Sequence, residues 1–273
     1  MTLLPGPAST LTAAPEERIV ELLARPATVR SVNRPVVSLV DGRCVGYQAS
    51  VRVAEWAARP PALWYRAAAE TGLSGQLGAL ALAASLRERA TMPGERFLAV
   101  ELDPEALAHP DVINMLAAEA DVSELMISLI QADLPTGHRA LPVLDECRGR
   151  GMLLAVPSGS AGLSDLLAVE RLGPDLILLS PELVRGVHRN QIQQRLIDVV
   201  VDLADGAGAA TLAEDVESLD EAQVLRAAGV RVAQGWLFGR PRPGFVAPAP
   251  EVCDWLRLQY EESAASSPRQ HRA

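Results

Sequence analysis

Eight short apolar runs, most of them separated by stretches of helical spacing, leave this chain few folds to choose from. The β-rich runs are Val36–Val40, Cys44–Val53, Phe97–Leu102, Leu125–Ile130, Met152–Val156, Leu176–Leu179, Ala209–Ala213 and Arg231–Gln234. Helical patterning covers Ala62–Arg89, Pro104–Ala120, His138–Gly149, Leu163–Arg171, Asn190–Ala204 and Leu219–Ala228. Alternation of this kind builds a parallel sheet covered by helices. Strands buried on both faces read as short, continuously apolar runs, as these do. The Asp41-Gly42 pair between the first two runs is a hairpin signal, so the first strand is expected antiparallel to the second. Pro104 behind Asp103 marks a helix start, with Asp103 as its cap. The class is therefore α/β. A length of 273 residues suits an eight-stranded (β/α)8 TIM-like barrel better than an open sheet, although spacing alone leaves the open sheet standing.

The ends read differently. Residues 1–29 form an arm rich in Pro, Ala, Ser and Thr that leads into a short helix spaced by Ile19, Leu22 and Leu23. Residues 30–262 make up the barrel, and 263–273 are expected as a flexible tail.

Composition narrows the function classes. The net charge of -9 argues against binding a nucleic-acid polymer, which needs clustered positive charge. All 25 basic residues are arginine, which excludes chemistry that depends on a titratable side-chain amine. Cys44, Cys147 and Cys253 form no C-x-x-C pair and fit a reducing cytoplasm better than a disulfide framework or a zinc site. Met1 to Glu16 lacks the basic and apolar regions of a signal peptide, and every apolar run is broken well short of membrane-spanning length. A cytoplasmic protein with no membrane segment is expected.

In a barrel of this kind, function sits where the strands end. Those positions are Gln48, Glu101, Ser128, Val156 to Ser160, Leu178 to Ser180, Glu214 and Gln234. The segments around them resemble the EAL family of bacterial cyclic-di-GMP phosphodiesterases. RPVVSLVDGRCVGYQASVR (Arg34–Arg52) resembles the family's opening hairpin and EAL signature. PALWYRAAAETGL (Pro61–Leu73) resembles the helix that follows, and FLAVELDPEAL (Phe97–Leu107) the segment that ends in Asn-Val-Ser-Pro. AEDVE (Ala213–Glu217) is similar to AEGVE, and QGWLFGRP (Gln234–Pro241) closely matches the final strand and loop. The resemblance covers roughly residues 30 to 245. It implies the EAL-type barrel with its first strand antiparallel.

It also implies what is missing. In active members glutamate, asparagine, glutamate and paired aspartates hold two metal ions, and a lysine helps to position the attacking water. At the matching positions this chain has Gln48, Glu101, Ser128, Pro157 with Ser158, and Leu178 for the lysine. Ser180 replaces a following aspartate, and Gln131 a glutamate that steadies a neighbouring loop. Glu214, Glu217 and Gln234 match the family. Magnesium or manganese needs several hard oxygen ligands, and two-metal hydrolysis needs two ions held close together. Glu101, Glu214 and Glu217 would hold one ion weakly at best. No catalytic residue, metal or cofactor is therefore expected.

Other features carry less. The PSGSAG loop (Pro157–Gly162) precedes a helix and has phosphate-binding potential, but Gly and Ser are ordinary loop residues. Arg52 matches an arginine that contacts ligand phosphate in relatives, which makes Arg52, Glu214, Glu217 and Gln234 the ligand-binding candidates. His109, His138, His188 and His271 have no metal spacing. The polar Asn190–Leu196 segment reads as a solvated helix face. In relatives this region contributes to dimer contacts, which implies a homodimer. Three readings follow, in descending order: an inactive EAL-like pseudoenzyme that regulates signalling by binding an unidentified protein, a sensor that binds cyclic-di-GMP or a related nucleotide without cleaving it, and a residual or different hydrolase.

Overall fold

The computed structural model describes residues 15–53, 62–131, 134, 137–158 and 169–266. Eight strands close into a barrel in sequence order: β1 (Val29–Ser38), β2 (Cys44–Val53), β3 (Phe97–Leu102), β4 (Leu125–Leu129), β5 (Leu153–Pro157), β6 (Leu176–Leu179), β7 (Ala210–Ala213) and β8 (Val232–Gln234). β1 runs antiparallel to both β2 and β8, and every other pairing is parallel. The expected barrel and its reversed first strand are both present. β1 is longer than expected and begins at Val29.

Two apolar layers hold the barrel. Outside it, Val100, Ile127, Leu154, Ile177 and Ala213 pack against the helices in one continuous core. Inside it, Val36, Ala99, Met126, Ala155, Leu176 and Leu212 meet in a cluster of strand residues alone. Side chains alternate along a strand. The next inward position toward the mouth is therefore Glu101 after Ala99, Ser128 after Met126, Pro157 after Ala155, Leu178 after Leu176 and Glu214 after Leu212. β1 runs the other way, so its inward mouth residue is Arg34, two positions before Val36.

Several helices differ from expectation. The stretch Ala62–Arg89 is two helices, Ala62–Thr71 and Ser74–Arg89. Between them Gly72 takes φ +70°, a left-handed conformation that glycine adopts without a Cβ penalty. The stretch Pro104–Ala120 divides into Pro104–Leu107 and Pro110–Ala118. Pro110 disfavours helical backbone at His109, which is extended and caps the second helix by accepting from Asp111 N. The helix from Gln191 runs to Ala207, with Asn190 as its cap. A further helix, Pro250–Ser266, was not anticipated. It runs past the expected barrel limit at 262 and buries Val252, Cys253 and Leu256 against the core. Residues 1–14, 159–162 of the PSGSAG loop, most of the expected Leu163–Arg171 helix, and 267–273 lie outside the described residues. All three cysteines are free. Among the described residues no helix is long and apolar enough to cross a membrane.

Candidate functional site

The strand ends open into a cleft of about 430 Å³. Its floor is Glu101, Ser128, Pro157, Leu178 and Glu214, and Tyr65 and Arg66 of helix Ala62–Thr71 stand at its side. The alternation along the strands thus brings five sequence-named positions to one surface. Gln48 lies beneath it, buried, and opposite Arg34 in the β1–β2 register.

Hydrogen bonds link these groups across the mouth. Arg34 donates from Nη1 to Asp215 Oδ1 at 2.7 Å and from Nη2 to Gln48 Oε1 at 3.0 Å. Gln48 Nε2 donates in turn to Glu101 Oε1. On the other side, Gln234 Nε2 donates to Glu214 Oε1 at 3.0 Å. Gln48, Glu101, Glu214 and Gln234 are strand-end positions named from the sequence; Arg34 and Asp215 lie within the matched segments but have no role assigned there. Asp215 stands where AEGVE has glycine. Its φ of +55° makes it the sole non-glycine residue with positive φ among the described residues.

Burial dominates the electrostatics of the floor. Burial raises the Glu101 carboxyl above its ordinary value, helped by Asp215 and opposed by Arg34, Gln48 and Arg52. Burial also pushes Glu214 up to about 8, with Glu101 and Asp215 adding to the effect and Arg34 and Gln234 opposing it. Burial and Glu101 together raise the Tyr65 phenol, which holds its proton.

The remaining candidates are placed apart from the floor. Arg52 is half-buried and donates from Nη1 to Val51 O, and burial and Arg34 lower its pKa. Its charge is coupled to Glu101 and Tyr65. Glu217 is exposed and faces Arg185 at 4.0 Å. Ser158 is buried, and its Oγ has no hydrogen-bond partner among the described residues. Among the described residues no three His, Cys, Asp or Glu side chains are arranged to hold a metal ion. The structure does not gather Glu101, Glu214 and Glu217 into one ligand set. Ser128, Pro157 and Leu178 supply no carboxylate, and burial raises both floor glutamates above their ordinary range beside a guanidinium. Such a donor set does not fit a pair of divalent ions.

The family model for the EAL domain matches residues 25–241. The chain belongs to the EAL domain family. A relative in Azorhizobium caulinodans, an uncharacterised protein, is 30% identical over 233 residues. The match takes in 78% of this chain and 31% of that protein, so the EAL chain spans under a third of the relative's length. Among solved structures, Klebsiella pneumoniae BlrP1 in a manganese and cyclic-di-GMP complex superposes with a TM-score of 0.70 at 27% identity, covering 81% of this EAL chain and 57% of that one. The Xanthomonas citri FimX EAL domain in complex with cyclic-di-GMP gives a TM-score of 0.71 at 20% identity, covering 84% and 94%. At that identity the FimX likeness speaks for the fold alone.

Proposed function

We propose that this EAL barrel is a regulatory module in cyclic-di-GMP-related signalling that does not hydrolyse the dinucleotide. The observation that carries this reading is the cleft floor. Ser128, Pro157 and Leu178 occupy three strand ends, and the two carboxyl groups left there, Glu101 and Glu214, are held toward their protonated forms. No group on that floor can position and activate a water between two metal ions. Regulation would then proceed by contact with a protein partner. Helix Gln191–Ala207 supports this mode: Ile192, Leu196 and Val199 are exposed at spacings of four and three, which puts them on one outer line. The test is incubation of the purified protein with cyclic-di-GMP and manganese or magnesium. Substrate is expected to remain intact. Turnover above buffer that disappears in Glu214→Ala would overturn the reading.

A second reading, a non-hydrolysing cyclic-di-GMP sensor, is favoured by the open cleft and by the charge of Arg52 beside Tyr65 and Glu101. Both solved relatives described above are complexes with that ligand. Titration calorimetry with cyclic-di-GMP distinguishes the two. Heat of binding that weakens in Arg52→Ala supports the sensor, and no heat at high ligand leaves the protein-contact module.

A further inference from the structure

We propose that the Arg34 guanidinium is the resident cation of the barrel mouth, a covalently tethered replacement for divalent metal that keeps such ions out. This rests on the non-hydrolytic reading and supplies its physical basis.

Three acids converge here: Glu101 on β3, and Glu214 and Asp215 just past β7. Uncompensated, three carboxyl groups in a half-buried mouth would repel one another and resist ionisation. Arg34 reaches them from β1, with its side chain only 15% exposed. One arm of the fork pairs directly with Asp215. The other grips the Gln48 carbonyl and so orients the Gln48 amide toward Glu101. The guanidinium thereby engages one acid directly and a second through an amide, while its field favours ionisation of Glu101 and Glu214. A planar fork with five donors suits this task, and it carries its charge at every accessible pH.

The backbone of Asp215 is a separate sign that the pair is built in. A left-handed conformation is the natural place for glycine, the residue of the matching AEGVE motif, and a side chain there carries a steric cost. Asp215 accepts that conformation and aims its carboxylate at Arg34. The ion pair thus joins β1 to the residues just past β7. A manganese ion entering this mouth would meet a fixed positive charge and would have to displace it from Asp215. The free energy of coordination would be spent in breaking that pair.

The experiment is a set of thermal melts of the full chain, in chelator and in millimolar manganese. Wild type is expected to melt at the same temperature in both. Arg34→Gln frees Asp215 and the Gln48–Glu101 pair to rearrange around an ion, which they are not arranged to do beside the guanidinium: it is expected to melt lower in chelator and to recover by about 5 °C in manganese. Arg34→Lys retains the charge and is expected to ignore manganese, which also keeps the test open if Arg34→Gln fails to fold. Stabilisation of wild type or of Arg34→Lys by manganese overturns the inference. So does an Arg34→Gln protein that folds without gaining a manganese response. A wild type that takes manganese but leaves cyclic-di-GMP intact overturns this inference alone, whereas cleavage of the dinucleotide overturns the proposed function.

Discussion

Gln234 Nε2 donates to Glu214 Oε1 across 3.0 Å at the seam between β7 and β8. The bond suits either protonation state of the carboxyl, but burial and the nearby Glu101 charge hold the proton on, with a pKa of about 8 against an ordinary 4.5. Between those two values an unfolded chain has lost the proton and the folded chain still binds it. Folding stability from this group is therefore complete below about pH 4.5 and declines as pH rises through about 8. Glu214→Gln keeps an oxygen for Gln234 and removes the titration. Its melting temperature is expected to vary less across that window and to exceed wild type at the alkaline end. Parallel pH series of melts would show it, and identical slopes for the two proteins would count against it.

Glu221 acts in the opposite sense. Its carboxylate accepts from the backbone N–H groups of Gly186 at 2.8 Å, Glu217 at 2.9 Å and Ser218 at 3.1 Å, joining the loop beyond β6 to the loop beyond β7. Burial opposes its ionisation, but these three donors outweigh burial and hold the pKa below 4.5. The stability it contributes is present above pH 4.5 and is lost as pH falls through the depressed value. Glu221→Ala is expected to cost on the order of 2–4 kcal/mol near neutral pH, because three donors lose a charged acceptor together. Urea unfolding is the measurement. A loss no larger than that of a lone helix cap, about 1 kcal/mol, would mean that the latch carries little.

Gly235 has no room for a side chain. A Cβ there would run into the carbonyl oxygen and amide nitrogen of Val216. Backbone bonds from Val216 N to Gln234 O and from Leu237 N to Val216 O hold these segments together. Gly235→Ala is expected to destabilise the barrel by about 2–4 kcal/mol, because backbone rather than a pliable side chain must yield. Unchanged urea midpoints would show that the loop gives way.

Ile192 and Val199 are 72% and 57% exposed, so the fold gains little from them. Ile192→Ser with Val199→Ser is expected to leave stability within about 0.5 kcal/mol of wild type at each site. A large loss would place these residues in the intramolecular core and remove their value as a contact surface.

Most of the mouth was legible because two signals coincide there. Apolar runs mark the strands, and inward alternation puts Glu101, Ser128, Pro157, Leu178 and Glu214 one step beyond the interior layer. Arg34 was harder to see. It lies near the middle of a long β1 whose first residues did not read as strand, and only antiparallel pairing sets it opposite Gln48. Asp215 carries no signal of its own in AEDVE, since a sequence does not display the partner across the barrel mouth. Helix Pro250–Ser266 escaped because proline-rich chain precedes it and draws the eye from the helical spacing of Val252, Trp255 and Leu256. The break at Pro110 was readable in principle, since a residue before proline leaves helical backbone.

The bond from Arg34 to Asp215 spans 181 positions of the chain. Contacts of such length are slow to form, because the intervening loop must close before they return any stability. As the chain leaves the ribosome, Arg34 emerges long before its acid, and the mouth cannot take shape until β7 and β8 have joined the sheet. Closure of the barrel and neutralisation of its mouth are thus one late event in folding, and a chain that stops short of Asp215 would carry an arginine prepared for a partner that never arrives.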